Sequence, residues 1–144
     1  MTVAPELPAQ TLTNSCYRGM FTNCTSLTIA PELPLTVIEQ YCYMEMFKGC
    51  TSLTAAPALP ATNTPDYCYK SMFYGCTNLS SVEVSFTYWQ GTGIGDPNCT
   101  TTWLSGVAAT GTFKCPTALG TNETIERSVN KCPAGWTVVN IDAA

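Results

Sequence analysis

The residues with most chemical potential in this 144-residue chain are its nine cysteines. Cys16, Cys42 and Cys68 recur at a fixed interval, and Cys24, Cys50 and Cys76 recur at the same interval, eight residues further on. Three chemistries compete for them. As small apolar side chains they form a buried structural ladder, since free cysteine is among the most buried residue types. As disulfides within one repeat they face a distance problem: eight residues of continuous helix separate two Cα atoms by about 12 Å, against a disulfide reach of about 7 Å. A chain that folds back before Cys24 closes that gap. Metal binding has least support, because the chain has no histidine and no Cys-x-x-Cys. Outside the rhythm, Cys115 and Cys132 flank a polar loop and are the candidate disulfide, with Cys99 the expected remainder of an odd total.

Catalysis finds few footholds. Without histidine, a Ser-His or Cys-His pair cannot form, and a cysteine nucleophile would need another activator in an electropositive pocket. Glu123 and Glu126 are three apart and read as a solvated acidic turn rather than an acid/base pair. Gly91, Gly93 and Gly95 lead into Asp96-Pro97, a turn signal and not the helix that a phosphate site requires. Asn23, Asn78, Asn98 and Asn122 each open an Asn-x-Ser/Thr triplet, which in so Thr-rich a chain carries no inference of glycosylation. The expectation is a non-enzyme with no cofactor and no metal.

The elements that position these residues follow from a repeat of period 26. Ala4-Pro5-Glu6-Leu7-Pro8 returns as Ala30-Pro31-Glu32-Leu33-Pro34 and as Ala56-Pro57-Ala58-Leu59-Pro60. Cys16-Tyr17-x-x-Met20-Phe21-x-x-Cys24-Thr25-x-Leu27 returns from Cys42 to Leu53 and from Cys68 to Leu79. Eleven of twenty-six columns are identical in all three copies without an insertion, so chance is excluded. One copy cannot bury its own apolar face, so the units must stack. The predicted fold class is α/β, a solenoid of short parallel strands and short helices. Units span 4–29, 30–55 and 56–81, with a last strand over 79–86. A small β-rich cap follows over 87–144.

Within each unit, Leu27-Thr28-Ile29-Ala30 predicts a very short strand with Leu27 and Leu33 inward, limited by the prolines that lack an amide hydrogen. Asn14 to about Thr22 predicts a short helix carrying Cys16, Met20 and Phe21. Asn23, Gly49 and Gly75 then take the left-handed position that ends it. Phe21, Phe47, Phe73, Leu27, Leu53 and Leu79 join the cysteines in the structural ladder.

The string Met46 to Thr54, and its near copies at Met20 to Thr28 and Met72 to Ser80, resembles the Ala-Phe-x-Gly-Cys-x-x-Leu core of BspA-like leucine-rich repeats. Those occur on surface proteins of Bacteroides-type bacteria and some mucosal parasites. The likeness covers roughly residues 4 to 86, with Met in place of Ala. The pieces Trp103 to Val107, Thr110 to Phe113 and Gly135 to Val138 look similar to the tails that close such arrays. Membership would imply adhesion outside the cell and no catalytic residues.

Composition agrees with that implication. Charged residues make up 11% of the chain, the net charge is −4, and the six basic residues are scattered, so no nucleic-acid partner is expected. There is no run of about 18 apolar residues, so no membrane insertion is expected. Met1-Thr2-Val3 enters the first repeat without the basic and apolar regions of a signal peptide, so targeting to the extracellular or cell-surface location is not carried by these residues. The expected function is a non-catalytic binding or adhesion module for a host protein or glycan. The alternatives are a structural spacer or stalk and a phage-fibre receptor-binding tip. Ligand-contact candidates are the variable helix positions Arg18, Glu45 and Lys70, together with the connecting turns that end at Ser15, Tyr41 and Tyr67. The column Tyr17, Tyr43 and Tyr69 is either an exposed stacking strip or a core edge. Tyr88, Trp89, Trp103 and Trp136 are expected to seal the last unit.

Overall fold

In the first repeat, Ser15, Gly19 and Asn23 have φ of 61°, 65° and 59°, and the pattern returns at Tyr41, Glu45 and Gly49 and at Tyr67, Ser71 and Gly75. A left-handed residue at every fourth position is incompatible with an α-helix, which needs φ near −63° throughout. The segment forms a ribbon of overlapping β-turns instead. Cys16, Arg18, Met20, Thr22 and Cys24 donate their amides three residues back, to the carbonyls of Thr13, Ser15, Tyr17, Gly19 and Phe21 at 3.1–3.2 Å. Turns ending at Cys16, Met20 and Cys24 have the left-handed residue third, as a type II turn demands.

The intervening amides point to the next copy. Ser15, Tyr17, Gly19, Phe21 and Asn23 donate to Gln40, Cys42, Met44, Met46 and Lys48 carbonyls, at 2.7 to 3.0 Å. The second ribbon repeats this onto the third, from Tyr41 N–H to Asp66 O through Gly49 N–H to Tyr74 O. The ribbon amides are therefore satisfied alternately, one within the copy and the next between copies.

The structure is a computed structural model that describes residues 2–89 and 98–142. It corrects the expected α/β leucine-rich-repeat solenoid. Among the described residues there is no α-helix, and regular strands are limited to β1 (Ser81–Glu83), β2 (Gly111–Cys115) and β3 (Trp136–Asn140). These form one small parallel sheet in the order β1-β2-β3, with Val82, Phe113 and Val138 in register. Two short 3-10 turns, Asn98–Thr100 and Thr117–Leu119, are the only helical pieces described. The strands expected at Leu27 to Ala30 and at Leu53 to Ala56 are reduced to isolated bridges, Val3 to Ile29 and Ala55 to Ser81, whereas the last strand, expected over 79–86, forms as β1. The proline columns explain this, since Pro5, Pro31 and Pro57 have no amide to extend a ladder.

The core runs down the inside of the ribbons. Phe21, Phe47 and Phe73 stack with ring centroids 5.6 and 5.7 Å apart and planes within 5°. Tyr17, Tyr43 and Tyr69 stack at 6.2 and 6.1 Å. Phe47 and Phe73 are fully buried, so truncating either to alanine should cost about 3–5 kcal/mol. Tyr69, Phe86, Trp89, Trp103 and Phe113 pack together where the columns end.

The inter-copy register continues past residue 86. Tyr69, Ser71, Phe73 and Gly75 amides donate to Cys99, Thr101, Trp103 and Ser105 carbonyls at 2.8–3.0 Å. Thr102 and Gly106 take the left-handed positions of Ser71 and Gly75. Cys99 thus extends the column of Cys16, Cys42 and Cys68. The segment around Gly91, Gly93 and Gly95 lies outside the described residues.

Candidate functional site

The buried cysteines of the columns are placed for packing. Cys42, Cys50, Cys68, Cys76, Cys99, Cys115 and Cys132 are buried, Cys24 is half-buried and Cys16 is exposed. Cys50 Sγ donates to Phe21 O at 3.1 Å and Cys76 Sγ to Phe47 O at 3.0 Å, so each thiol bonds to the copy before its own. Burial pushes Cys50 up to about 11 and Cys76 up to about 12. It also raises Cys68, which has Cys99 and Cys42 as neighbours. These thiols are protonated at neutral pH, the state opposite to that of a nucleophile.

The expected Cys115–Cys132 disulfide is corrected, because both are free thiols. Cys115, at the end of β2, directs Sγ to Gly120 O at 3.6 Å, while Cys132 sits 3.2 Å from the Arg127 guanidinium. That guanidinium also donates to Trp136 O and to Asn122 O and Oδ1, fixing the turn before β3. Glu123 and Glu126 find separate partners, Thr121 and Lys131, and do not form a pair. Among the described residues no group of three or more Cys, Asp or Glu is placed to hold a metal ion. Nor is any described helix long and apolar enough to cross a membrane.

Of the proposed ligand contacts, Tyr43 and Tyr69 are buried and Tyr17 is half-buried, with their faces stacked on one another. They form a core edge and cannot serve as an open platform. Arg18 is exposed and Glu45 and Lys70 are half-buried, and the two cations sit beside tyrosines of the connecting turns. Tyr41 and Tyr67 stack at 5.3 Å, with Arg18 5.9 Å over the Tyr41 ring and Lys70 5.4 Å over Tyr67. Lys48 lies 5.4 Å over Tyr74 and 3.1 Å from Glu45. Each cation of the three repeats is thereby held over a tyrosine, a contact worth about 0.5–1 kcal/mol at exposed sites. The signal was available: Tyr41 and Tyr67 share a column four residues before Glu45 and Ser71, the next left-handed positions.

A second surface lies along the proline segments. Two shallow grooves of about 430 and 340 Å³ run between successive copies, lined by Pro5, Glu6, Pro31, Glu32, Pro34 and Pro57 among others.

No family model, no curated protein and no solved structure matches this chain.

Proposed function

We propose that this chain is a non-catalytic binding module working outside the cell, with the turn face of the three repeats contacting a protein or glycan ligand. The observation that carries the reading is the row Arg18, Tyr41, Tyr67 and Lys70. Its side chains come from three copies and are fixed against one another before any ligand arrives, which lowers the ordering cost of binding. Tyr and Arg are also the residue types that dominate binding hot spots. A Thr-, Ser- and Asn-rich surface and the likeness of Met46 to Thr54 to BspA-like surface repeats support the extracellular setting.

The test is a combined glycan and mucin-protein array probed with the wild-type protein and with Tyr41→Ser/Tyr67→Ser, which copies Ser15 of the same column. Specific binding that the double variant loses, with its fold intact by circular dichroism, supports the turn face. Silence of the folded wild-type protein on both arrays would refute the binding reading and leave the rigid stacked core as a spacer.

A further inference from the structure

The first copy carries an edge that is covered in the second and third copies. Its carbonyls at Asn14, Cys16, Arg18, Met20 and Thr22 accept no hydrogen bond among the described residues, whereas their equivalents at Gln40, Cys42, Met44, Met46 and Lys48 each accept one from the copy before. The side chains tell the same story. Met20 is 49% exposed while Met46 and Met72 are fully buried, and Cys16 is exposed while Cys42 and Cys68 are buried. Val3 and Ile29, 55% and 58% exposed, flank the same end. A row of five unpaired acceptors beside exposed apolar side chains is an edge of the kind that recruits another chain segment.

We infer that this edge is a docking surface for a further 26-residue unit of the same pattern. The molecule shows twice, at the first-to-second and second-to-third steps, what an identical carbonyl row accepts. It takes a turn ribbon that presents amides at alternate positions and lays a phenylalanine and a tyrosine on their counterparts. A second copy of this chain fits poorly. Two first-copy edges offer each other only acceptors, and at the opposite end the Thr102 and Leu104 amides are already taken by Asn130 Oδ1 and Val129 O.

The experiment extends the full chain with a duplicate of residues 30–55 placed directly ahead of Ala4, beside a control bearing a scrambled segment of equal composition. Alkylation of Cys16 in native protein should slow by about tenfold or more in the true extension, toward the rate of Cys42. The thermal midpoint should rise above that of the scrambled control. Unchanged Cys16 labelling together with an unchanged midpoint would overturn the inference. So would a concentration-dependent dimer of the unextended chain in which Cys16 is protected, since the occupant would then be a second copy.

Discussion

At the scale of single residues, a cysteine's place in the stack decides its exposure. Cys16 and Cys42 have matching neighbours in the repeat, yet one is exposed and the other fully buried, because only Cys42 has a copy on both sides. Reaction of a buried thiol requires an opening that exposes it and a pH that ionises it. At neutral pH, brief treatment with iodoacetamide should therefore modify Cys16 and Cys24 in folded protein. The other seven should react only after denaturant is added, with mass spectrometry reading the stoichiometry. Rapid native labelling of Cys50 or Cys76 would contradict the packing described for them.

At the scale of the element, the ribbon depends on which residues occupy its left-handed positions. Gly49 and Gly75 have φ of 77° and 75°, where a β-carbon costs about 1–2 kcal/mol. Their surroundings differ. A β-carbon on Gly75 would meet only Gly49 backbone at 3.9 Å, whereas one on Gly49 would overlap Asn23 Oδ1. Gly49→Ala should accordingly lower stability by slightly more than Gly75→Ala, by about 0.5 kcal/mol, because the exposed Asn23 amide must turn aside, in urea denaturation. Replacing Asn23 with glycine should remove most of that difference. Equal costs in the Asn23-containing protein would show that the column is not in contact.

These positions also explain how much of the element was legible in the sequence. The glycine column announced a left-handed residue correctly, but Tyr41, Glu45, Tyr67 and Ser71 gave no such notice, since non-glycine residues rarely adopt positive φ. Period-four apolar spacing at Cys16, Met20 and Cys24 is shared by a helix and by turns that advance four residues per left-handed step. Tertiary pairing between copies decided between them. The fourth ribbon was harder to see, because Trp103-Leu104 replaces Met-Phe, Thr100 replaces tyrosine, and the interval grows from 26 to 31 residues between Cys68 and Cys99. The retained Cys-x-x-x-x-x-x-Gly spacing, Cys99 to Gly106 as in Cys68 to Gly75, was the available clue. For the site, Arg18 and Lys70 were legible as outward residues. Their tyrosine partners come from the neighbouring column and, for Arg18, from the neighbouring copy, a pairing that exists only after stacking.

At the scale of the whole molecule, stacked thiols and phenols make folding stability a function of pH. Burial raises Cys42, Cys68 and Cys132, lifts Cys50 and Cys115 to about 11 and Cys76 to about 12, and raises Tyr43 and Tyr69 as well. In the unfolded chain the thiols ionise near their ordinary value of about 8.5. Above that pH the folded state holds protons that the unfolded state has released, so stability falls as pH rises. The contribution is complete below about pH 8 and declines through the interval up to the folded-state values. Urea midpoints should hold steady from pH 6 to 8 and drop progressively from pH 9 to 11 if the columns act together. Cys50→Ala/Cys76→Ala should start from a lower midpoint at pH 7 because two buried side chains are truncated, yet lose less between pH 8 and 11 because two of the titrating groups are gone. A midpoint that stays level to pH 11 in the wild-type protein would mean that these thiols and tyrosines are not held in a dry interior.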